Sequence, residues 1–369
     1  MFVKKKMKKL IPAIIGGVIG GIGGYFGAKY MTTGEGNMMD IMAFFAAVVV
    51  SYFLHIIIHE GGHLIFGLLS GYQFVSFRIG SLIFYKVNGK YQFGKYKLAG
   101  TGGQCLMSPP DLIDGMIPYR LYNMGGAIMN LVFTVPAVLV LLFLQPTGVI
   151  KIFVIVWIFV GIFAAATNGI PMSMGEVDND GKNALSLGKN KKALYAFWLQ
   201  LKVNQLQMEG KSLCDMPYEW FELPETEEMC NPMIAVLGAL HCNRMLEEKR
   251  YEETSQAIEK LLHSKTGMLG VHRMLLQVDQ IFCEIMSSRR TEILDYMQDK
   301  GLCNFMKAMK NYPSVLRTEY AYAFCVEQDK KKAQKIKNRF EKIMKSHPNK
   351  AEVETELGFI SEIENTELS

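Results

Sequence analysis

Long apolar stretches are the feature that most constrains the fold of this chain of 369 residues. Four of them, at about residues 10–28, 39–66, 122–144 and 150–171, approach the roughly 20 residues that a helix needs to cross about 30 Å of hydrocarbon. Residues 182–369 are instead dense in Lys, Glu, Asp and Gln. We therefore expect an α-helical multi-pass membrane domain of about four spans, followed by a soluble all-α domain.

Basic residues are distributed unevenly between the segments that join these stretches. They are frequent before the first stretch, between residues 71 and 120, and after the fourth stretch, whereas residues 29–38 and 145–149 are nearly free of them. Short cytoplasmic loops of membrane proteins carry an excess of Lys and Arg. The pattern predicts a multi-pass protein of the cell membrane whose N-terminus and C-terminal domain are cytoplasmic.

The first stretch has two interpretations. A basic segment followed by an apolar core is also typical of a signal peptide. However, Gly16, Gly20 and Gly24 recur every four residues, which gives a helix one flat face for close packing against another helix. This spacing favours a retained span.

Cysteine usage and charge limit the compartment and the partners. Six of the seven cysteines are scattered after residue 210 without a Cys-x-x-Cys pair, which argues against a disulfide framework and for a reducing compartment. The net charge is only +5, and the basic residues are not interleaved with aromatic ones as on a nucleic-acid-binding surface. We expect the lipid bilayer, and no nucleic acid, among the partners.

A metal-binding pattern, His59-Glu60-Gly61-Gly62-His63, lies in the second stretch. Two histidines four residues apart project from one face of a helix and can bind one Zn²⁺. Glu60 follows the first histidine, where it can act as a general base. Three ionisable side chains in an apolar span are costly unless they serve a site. The pattern predicts one Zn²⁺ per chain.

His55 precedes this pattern by one helical turn. Residues 55 and 63 are about 12 Å apart along a helix axis at 1.5 Å per residue, so one ion cannot bind both. We expect His55 to be a hydrogen-bonded helix residue, with support of a ligand or contact with substrate as alternatives.

A third ligand is expected from the acidic segment after the fourth stretch, which offers Glu176, Asp178 and Asp180. The charge pattern places this segment on the same side of the membrane as His63. We prefer Asp180, because Gly181 permits close backbone approach and a sharp turn into the next helix. Asp178 is the alternative, and all three acidic residues could instead cap a helix.

Asn130 is an amide in the middle of the third stretch. Such an amide must find a partner in the membrane, and a donor near the metal would stabilise a developing oxyanion. We therefore expect Asn130 to be catalytic, although membrane asparagines also commonly join helices.

Three motifs in this order resemble the site-2 protease family of intramembrane zinc metalloproteases, across about residues 39–185: the His59–His63 pattern, Gly126-Ala127-Ile128-Met129-Asn130, and Asn168 through Pro171 to Asp180-Gly181. The resemblance implies His59, His63 and Asp180 as metal ligands, Glu60 as the base and Asn130 beside the scissile carbonyl. Two departures are Ala127 in place of the family's usual proline and a longer separation between Pro171 and Asp180. The second leaves Asp178 open as a ligand.

Residues 72–99 are rich in aromatic and β-branched residues around Asn88-Gly89, which predicts a hairpin with a type I′ turn. Its exposed edge could bind an unwound substrate as an added strand, or the hairpin could only cover the site; the family has a β-element here. The glycines and prolines of residues 100–110 predict a loop, in which Cys105 is a packing residue.

The remaining chain predicts consecutive amphipathic helices. Three segments with similar beginnings start roughly forty residues apart, at residues 251, 288 and 330, which suggests a tetratricopeptide-like repeat that binds a cytoplasmic protein partner. An irregular bundle is the alternative. The expected domains are an anchor (1–38), a metalloprotease core (39–188) and a helical domain (189–369).

The predicted activity is hydrolysis of peptide bonds in membrane-embedded or membrane-adjacent proteins or peptides. The alternative is an inactive membrane receptor or scaffold that binds partners through its helical domain. A transporter is disfavoured, because four spans leave little room for a pathway built from repeats.

Overall fold

The computed structural model describes residues 38–87, 89–96, 101–174 and 177–365, together with Gly21, Gly24 and Ala28. These residues belong to two compact units, the first made of Met1–Gly80 and Thr101–Lys191, the second of Ser81–Gly100 and Lys192–Ser369. Apart from three helical positions, Gly21, Gly24 and Ala28, the predicted first span and the basic segment before it lie outside the described residues. That span stays a prediction.

Three long helices dominate the first unit: α1 (Met38–Leu69), α2 (Tyr119–Leu139, extended by a π-helical segment, Val140–Leu144) and α3 (Gly148–Gly169). Within the described residues they are the helices long and apolar enough to cross a membrane, and they match three of the four predicted spans. Large apolar side chains such as Phe143 and Leu144 are 78% and 73% exposed. Helices that are apolar on their outer face are stable where the surrounding solvent is hydrocarbon.

Helices α1 and α2 contact each other backbone to backbone at Gly62 and Gly125. A Cβ atom on Gly62 would lie 2.2 Å from the Gly125 carbonyl oxygen, and one on Gly125 would lie 2.5 Å from that of Gly62. Both distances are far below van der Waals contact, so each position requires glycine. This contact brings the His59–His63 segment against α2.

The strands are β1 (Gln73–Ile79), β2 (Leu82–Val87), β3 (Lys90–Lys95), β4 (Gly103–Ser108), β5 (Ser173–Met174) and β6 (Val177–Asp178). In the first unit, β1 pairs antiparallel with β4, and β5 with β6. The prediction of a loop over residues 100–110 was therefore wrong for β4. Buried Cys105 and Met107 alternate with more exposed neighbours as in a strand, but this short pattern is flanked by Gly and Pro, which indicate a loop in the sequence.

The predicted hairpin is confirmed as β2 and β3. Val87 lies opposite Lys90, which leaves a turn of two residues; Asn88 lies outside the described residues, and Gly89 has φ +77°, as a type I′ turn requires. The hairpin belongs to the second compact unit, whereas the sequence predicts it within the metalloprotease core.

A short helix, α4 (Asp180–Ser186), follows β6 in the first unit. The second unit is otherwise helical, with a core that includes the buried rings of Phe282, Phe340 and Phe359. Its α-helices are α5 (Lys191–Met208), α6 (Pro232–Glu247), α7 (Tyr251–His263), α8 (Gly270–Met286), α9 (Thr291–Leu294), α10 (Lys300–Ala308), α11 (Pro313–Ala321), α12 (Lys330–Met344) and α13 (Lys350–Asn365).

The three similar sequence segments do not form three similar helices. The first and third lie in α7 and α12, but the second forms only the single turn of α9 followed by a 3-10 helix, Asp295–Gln298. A tetratricopeptide-like arrangement stays a prediction.

Candidate metal centre

His59 and His63 lie on successive turns of α1, and their rings meet with centroids 4.8 Å apart. Their Nε2 atoms are 3.2 Å apart. The two side chains are only 13% and 12% exposed. The predicted pair of ring nitrogens therefore converges on one point at the protein interior.

Asp180 reaches the same point from the first residue of α4. Its Oδ2 atom lies 3.1 Å from His59 Nε2 and 3.4 Å from His63 Nε2. Of the two acidic candidates that the structure describes, Asp178 and Asp180, it is Asp180 that lies beside the histidines. Glu176 lies outside the described residues.

Two neighbours of Asp180 fix its position. The Asn179 side chain accepts hydrogen bonds from the backbone N–H groups of Lys182 and Met172, and it donates to carbonyl oxygens at the end of α3. A Cβ atom on Gly181 would lie 2.1 Å from the Gly169 carbonyl oxygen. The asparagine cap and the glycine together hold the start of α4 against the end of α3.

Asp178 has other partners. Lys182 Nζ lies 2.6 Å from Asp178 Oδ1, and the Ser173 hydroxyl donates to the same oxygen at 2.8 Å. The carboxylate therefore belongs to a local ion pair beside β5 and β6. Its neighbour Asp180 points to the histidines instead.

The three ligand atoms fit a tetrahedral metal. Zn²⁺ binds nitrogen and oxygen ligands at about 2.0–2.2 Å, so the edges of such a tetrahedron are about 3.3–3.6 Å. The observed separations are 3.1, 3.2 and 3.4 Å. Two imidazoles and one carboxylate are also a donor set that zinc enzymes use with a fourth position left for water or substrate. The residues present therefore fit the ion.

His63 is held in the tautomer that metal binding needs. Its Nδ1 atom lies 2.8 Å from the Tyr122 carbonyl oxygen. A carbonyl only accepts, so Nδ1 carries the hydrogen and the Nε2 lone pair faces His59 and Asp180. The Tyr122 side chain stacks on Tyr72 and donates to the Cys105 carbonyl oxygen at 3.3 Å.

Glu60 lies beside the ligands and against β4. Its carboxylate accepts a hydrogen bond from the backbone N–H of Cys105 and interacts electrostatically with His59, His63 and Asp180. A Cβ atom on Gly103 would lie 2.9 Å from Glu60 Oε1, so a larger residue at position 103 would displace the Glu60 carboxylate. The sequence did not indicate this contact, because the strand itself was predicted as a loop.

Asn130 is completely buried behind His59. Its amide nitrogen lies 3.2 Å from His59 Nδ1, and its amide oxygen lies 3.0 Å from His55 Nδ1. These contacts are on the Nδ1 side of the His59 ring, opposite the Nε2 atom that faces Asp180. The predicted role at an oxyanion stays a prediction, and the observed contacts favour a role in holding His59.

Gly126 makes room for the His59 ring. A Cβ atom at this position would lie 2.4 Å from the ring carbon Cε1 and 2.5 Å from Nδ1. Gly126 is the first residue of the Gly-x-x-x-Asn motif, so both ends of that motif contact His59. The motif is visible in the sequence, but only the fold shows that its glycine makes space for the His59 ring.

Of the three candidate ligands, Asp180 is the one that carries charge. Burial alone would raise the pKa of its carboxyl group, but the interactions of the carboxylate with the adjacent rings of His59 and His63 outweigh burial and hold the pKa well below its usual range. The site thus offers one carboxylate and two imidazoles, which is suited to a divalent cation.

No protein-family model, curated protein or solved structure matches this chain.

Proposed function

We propose that this chain is an intramembrane zinc metalloprotease, similar to the site-2 protease family. The observation that carries the proposal is the convergence of His59 Nε2, His63 Nε2 and Asp180 Oδ2 within 3.1–3.4 Å of one another. His59 and His63 belong to the long apolar helix α1, and Asp180 belongs to the segment that follows α3, another long apolar helix. They would hold one Zn²⁺ per chain.

The reaction is hydrolysis of a peptide bond by water. When bound, Zn²⁺ supplies a Lewis acid that lowers the pKa of water toward about 7 and polarises a carbonyl group. Glu60 accepts a proton from the attacking water as its oxygen bonds to the carbonyl carbon. Glu60 then delivers that proton to the amide nitrogen as the carbon–nitrogen bond breaks. The Cys105 N–H orients the Glu60 carboxylate for both steps.

The substrates are membrane-embedded or membrane-adjacent proteins or peptides. Two of the three ligands, His59 and His63, lie on α1, whose outer face is apolar and exposed, so a substrate reaches the site from within or beside the bilayer. A helical substrate hides its peptide bonds and must unwind first. We further propose that the second unit is cytoplasmic and binds a protein partner, in keeping with the uneven distribution of basic residues.

The test compares the membrane and secreted peptidomes of cells that carry the wild-type protein or Glu60→Gln. Peptides with a cut inside an apolar segment should be present only with the wild type. Purified Glu60→Gln protein should still contain about one zinc per chain, because Glu60 is not a ligand. Identical peptidomes would overturn the proposal and favour a receptor or scaffold.

A further inference from the structure

Two polar side chains, His55 and Asn130, form a buried pair behind His59. They are 1% and 0% exposed, and they lie within the long apolar helices α1 and α2. The His55 ring packs on the Trp157 ring, with centroids 4.4 Å apart. Buried polar groups in such surroundings are costly unless each has a hydrogen-bond partner. Asn130 of this pair contacts His59, so the pair lies directly beside a proposed metal ligand.

The contact between Asn130 and His59 has two forms with opposite consequences for metal binding. If the amide oxygen accepts from His59 Nδ1–H, the Nε2 lone pair is available for a metal. If the amide nitrogen donates to Nδ1, Nε2 must carry the hydrogen of the neutral ring and cannot bind the metal. The Tyr122 carbonyl oxygen can only accept from His63 Nδ1–H, so it allows one tautomer of His63. The Asn130 amide can either accept or donate, so it allows both tautomers of His59.

In the structure the amide nitrogen faces His59 and the amide oxygen faces His55. In this arrangement the amide donates to Nδ1, so His59 Nε2 carries the hydrogen of the neutral ring. A half-turn of the amide about its Cβ–Cγ bond exchanges oxygen and nitrogen with almost no change in shape. Asn130 would then accept from His59 Nδ1–H and donate to His55 Nδ1.

His55 can serve as partner in both arrangements, because a neutral imidazole nitrogen donates in one tautomer and accepts in the other. An apolar residue at position 55 would leave the amide nitrogen without this partner in the metal-binding arrangement. Burial of an unpaired amide N–H is costly. The amide would then favour donation to His59 and oppose metal binding.

We propose that His55 is a positioning residue that acts through Asn130: by accepting from the amide nitrogen, it allows the amide oxygen to face His59 Nδ1 and so makes the metal-binding tautomer of His59 available. The proposal rests on the metal site of the proposed function. His55 then supports metal binding, although helix geometry prevents His55 and His63 from binding the same ion.

The test measures Zn²⁺ affinity of the full-length purified protein by competition with a chromophoric chelator. His55→Phe keeps a ring against Trp157 but removes the acceptor, and it should weaken Zn²⁺ binding about 10–100-fold, the usual effect of losing a group that orients a ligand. His55→Gln retains an acceptor and should restore most of the affinity. Thr134→Val is the matched control, since Thr134 is also buried on α2 but only bonds back to the Asn130 carbonyl oxygen; its affinity should be unchanged.

A double substitution separates positioning from packing. In Asn130→Asp the carboxylate presents acceptors on both sides, so no orientation needs to be selected. His55→Phe should therefore lose its effect on Zn²⁺ affinity in the Asn130→Asp background. If His55→Phe does not fold, His55→Leu in the two backgrounds gives the same comparison.

Nitrogen NMR of histidine-labelled protein gives a direct signature. Zinc-loaded wild type should show His59 protonated at Nδ1, and His55→Phe should lose that signal at zinc concentrations that saturate the wild type. Equal affinity of His55→Phe and wild type, or an equal loss in both Asn130 backgrounds, would overturn the proposal. A wild-type protein that binds no Zn²⁺ would instead overturn the proposed function on which it rests.

Discussion

Asp180 Oδ2 lies 3.1 Å from His59 Nε2, so a carboxylate at the start of a short helix meets a ring nitrogen in the middle of a long apolar one. The meeting depends on two close backbone contacts. One joins α1 to α2 at Gly62 and Gly125, and the other joins α4 to the end of α3 at Gly181 and Gly169. Helix packing around these glycines therefore brings the residues of the site together.

Replacement of Asp180 and replacement of Asp178 by alanine should have different effects on the zinc content of the protein. Asp180→Ala should lose most of the bound zinc, because one of three protein ligands is gone. Asp178→Ala should keep it, since Asp178 bonds to Lys182 and Ser173 instead. Metal analysis of the purified proteins measures both. Zinc retained in Asp180→Ala but lost in Asp178→Ala would show that the ligand had been assigned to the wrong residue.

Two adjacent glycines of the histidine motif give a matched pair. Gly62→Ala places a Cβ 2.2 Å from the Gly125 carbonyl oxygen, and we expect a loss of about 1–3 kcal/mol in stability, as for overpacking of a core, together with loss of zinc. Gly61→Ala meets nothing within 4 Å and should be tolerated or gain up to about 1 kcal/mol from helix propensity. Thermal unfolding and zinc content measure the pair. Equal behaviour of the two variants would contradict the close contact of α1 and α2.

Cys230 can report the side of the membrane on which the second unit lies. Cys214 and Cys230 are exposed, whereas Cys242 and Cys283 are buried. Partial desolvation and the nearby Glu247 carboxylate raise the pKa of the Cys214 thiol to about 11, so Cys214 should react more slowly. If the unit is cytoplasmic, a membrane-impermeant maleimide should label Cys230 in lysed cells but not in intact cells. Cys230→Ser is the control, and labelling of intact cells would place the unit outside.

Glu247 should make the stability of the second unit depend on pH. Its buried carboxylate accepts hydrogen bonds from the backbone N–H groups of Leu213 and Cys214, yet burial dominates and raises its pKa from about 4.5 to about 7. The folded protein therefore binds more protons than the unfolded chain between these values. The stabilising contribution is fully present below about pH 4.5 and is lost as the pH rises through about 7, by at most about 3 kcal/mol.

Urea unfolding followed by tryptophan fluorescence measures this dependence, since Trp198 and Trp220 contact each other in the second unit. Glu247→Gln cannot titrate and should flatten the decrease in the unfolding midpoint between pH 5 and 8. A decrease of the same size in the variant would assign the pH dependence to other groups.

Features that depend on near neighbours in the chain were predictable. The spacing of His59 and His63 sets their shared helix face, and apolar length sets three of the long helices. The turn of the hairpin follows from Asn88-Gly89. Each of these depends on a few consecutive residues, so no knowledge of distant contacts was needed.

Features that depend on distant contacts were not predictable with the same certainty. Strand β4 is short and flanked by Gly and Pro, and it becomes a strand because β1 supplies its hydrogen-bond partners. The similar segments at residues 251 and 288 form a helix of several turns and a single turn, respectively, because tertiary packing overrides local propensity.

The sequence by itself determined that two histidines and a glutamate lie in an apolar helix, where their burial would be costly without a site to serve. It also limited the third ligand to a few acidic residues after another apolar stretch. Only the tertiary structure brought Asp180 rather than Asp178 to the two histidines, brought Glu60 against β4, and placed Asn130 and His55 behind His59. The reason is physical: helix periodicity fixes which side chains share a face, whereas close packing between helices fixes which atoms of distant residues come within bonding distance.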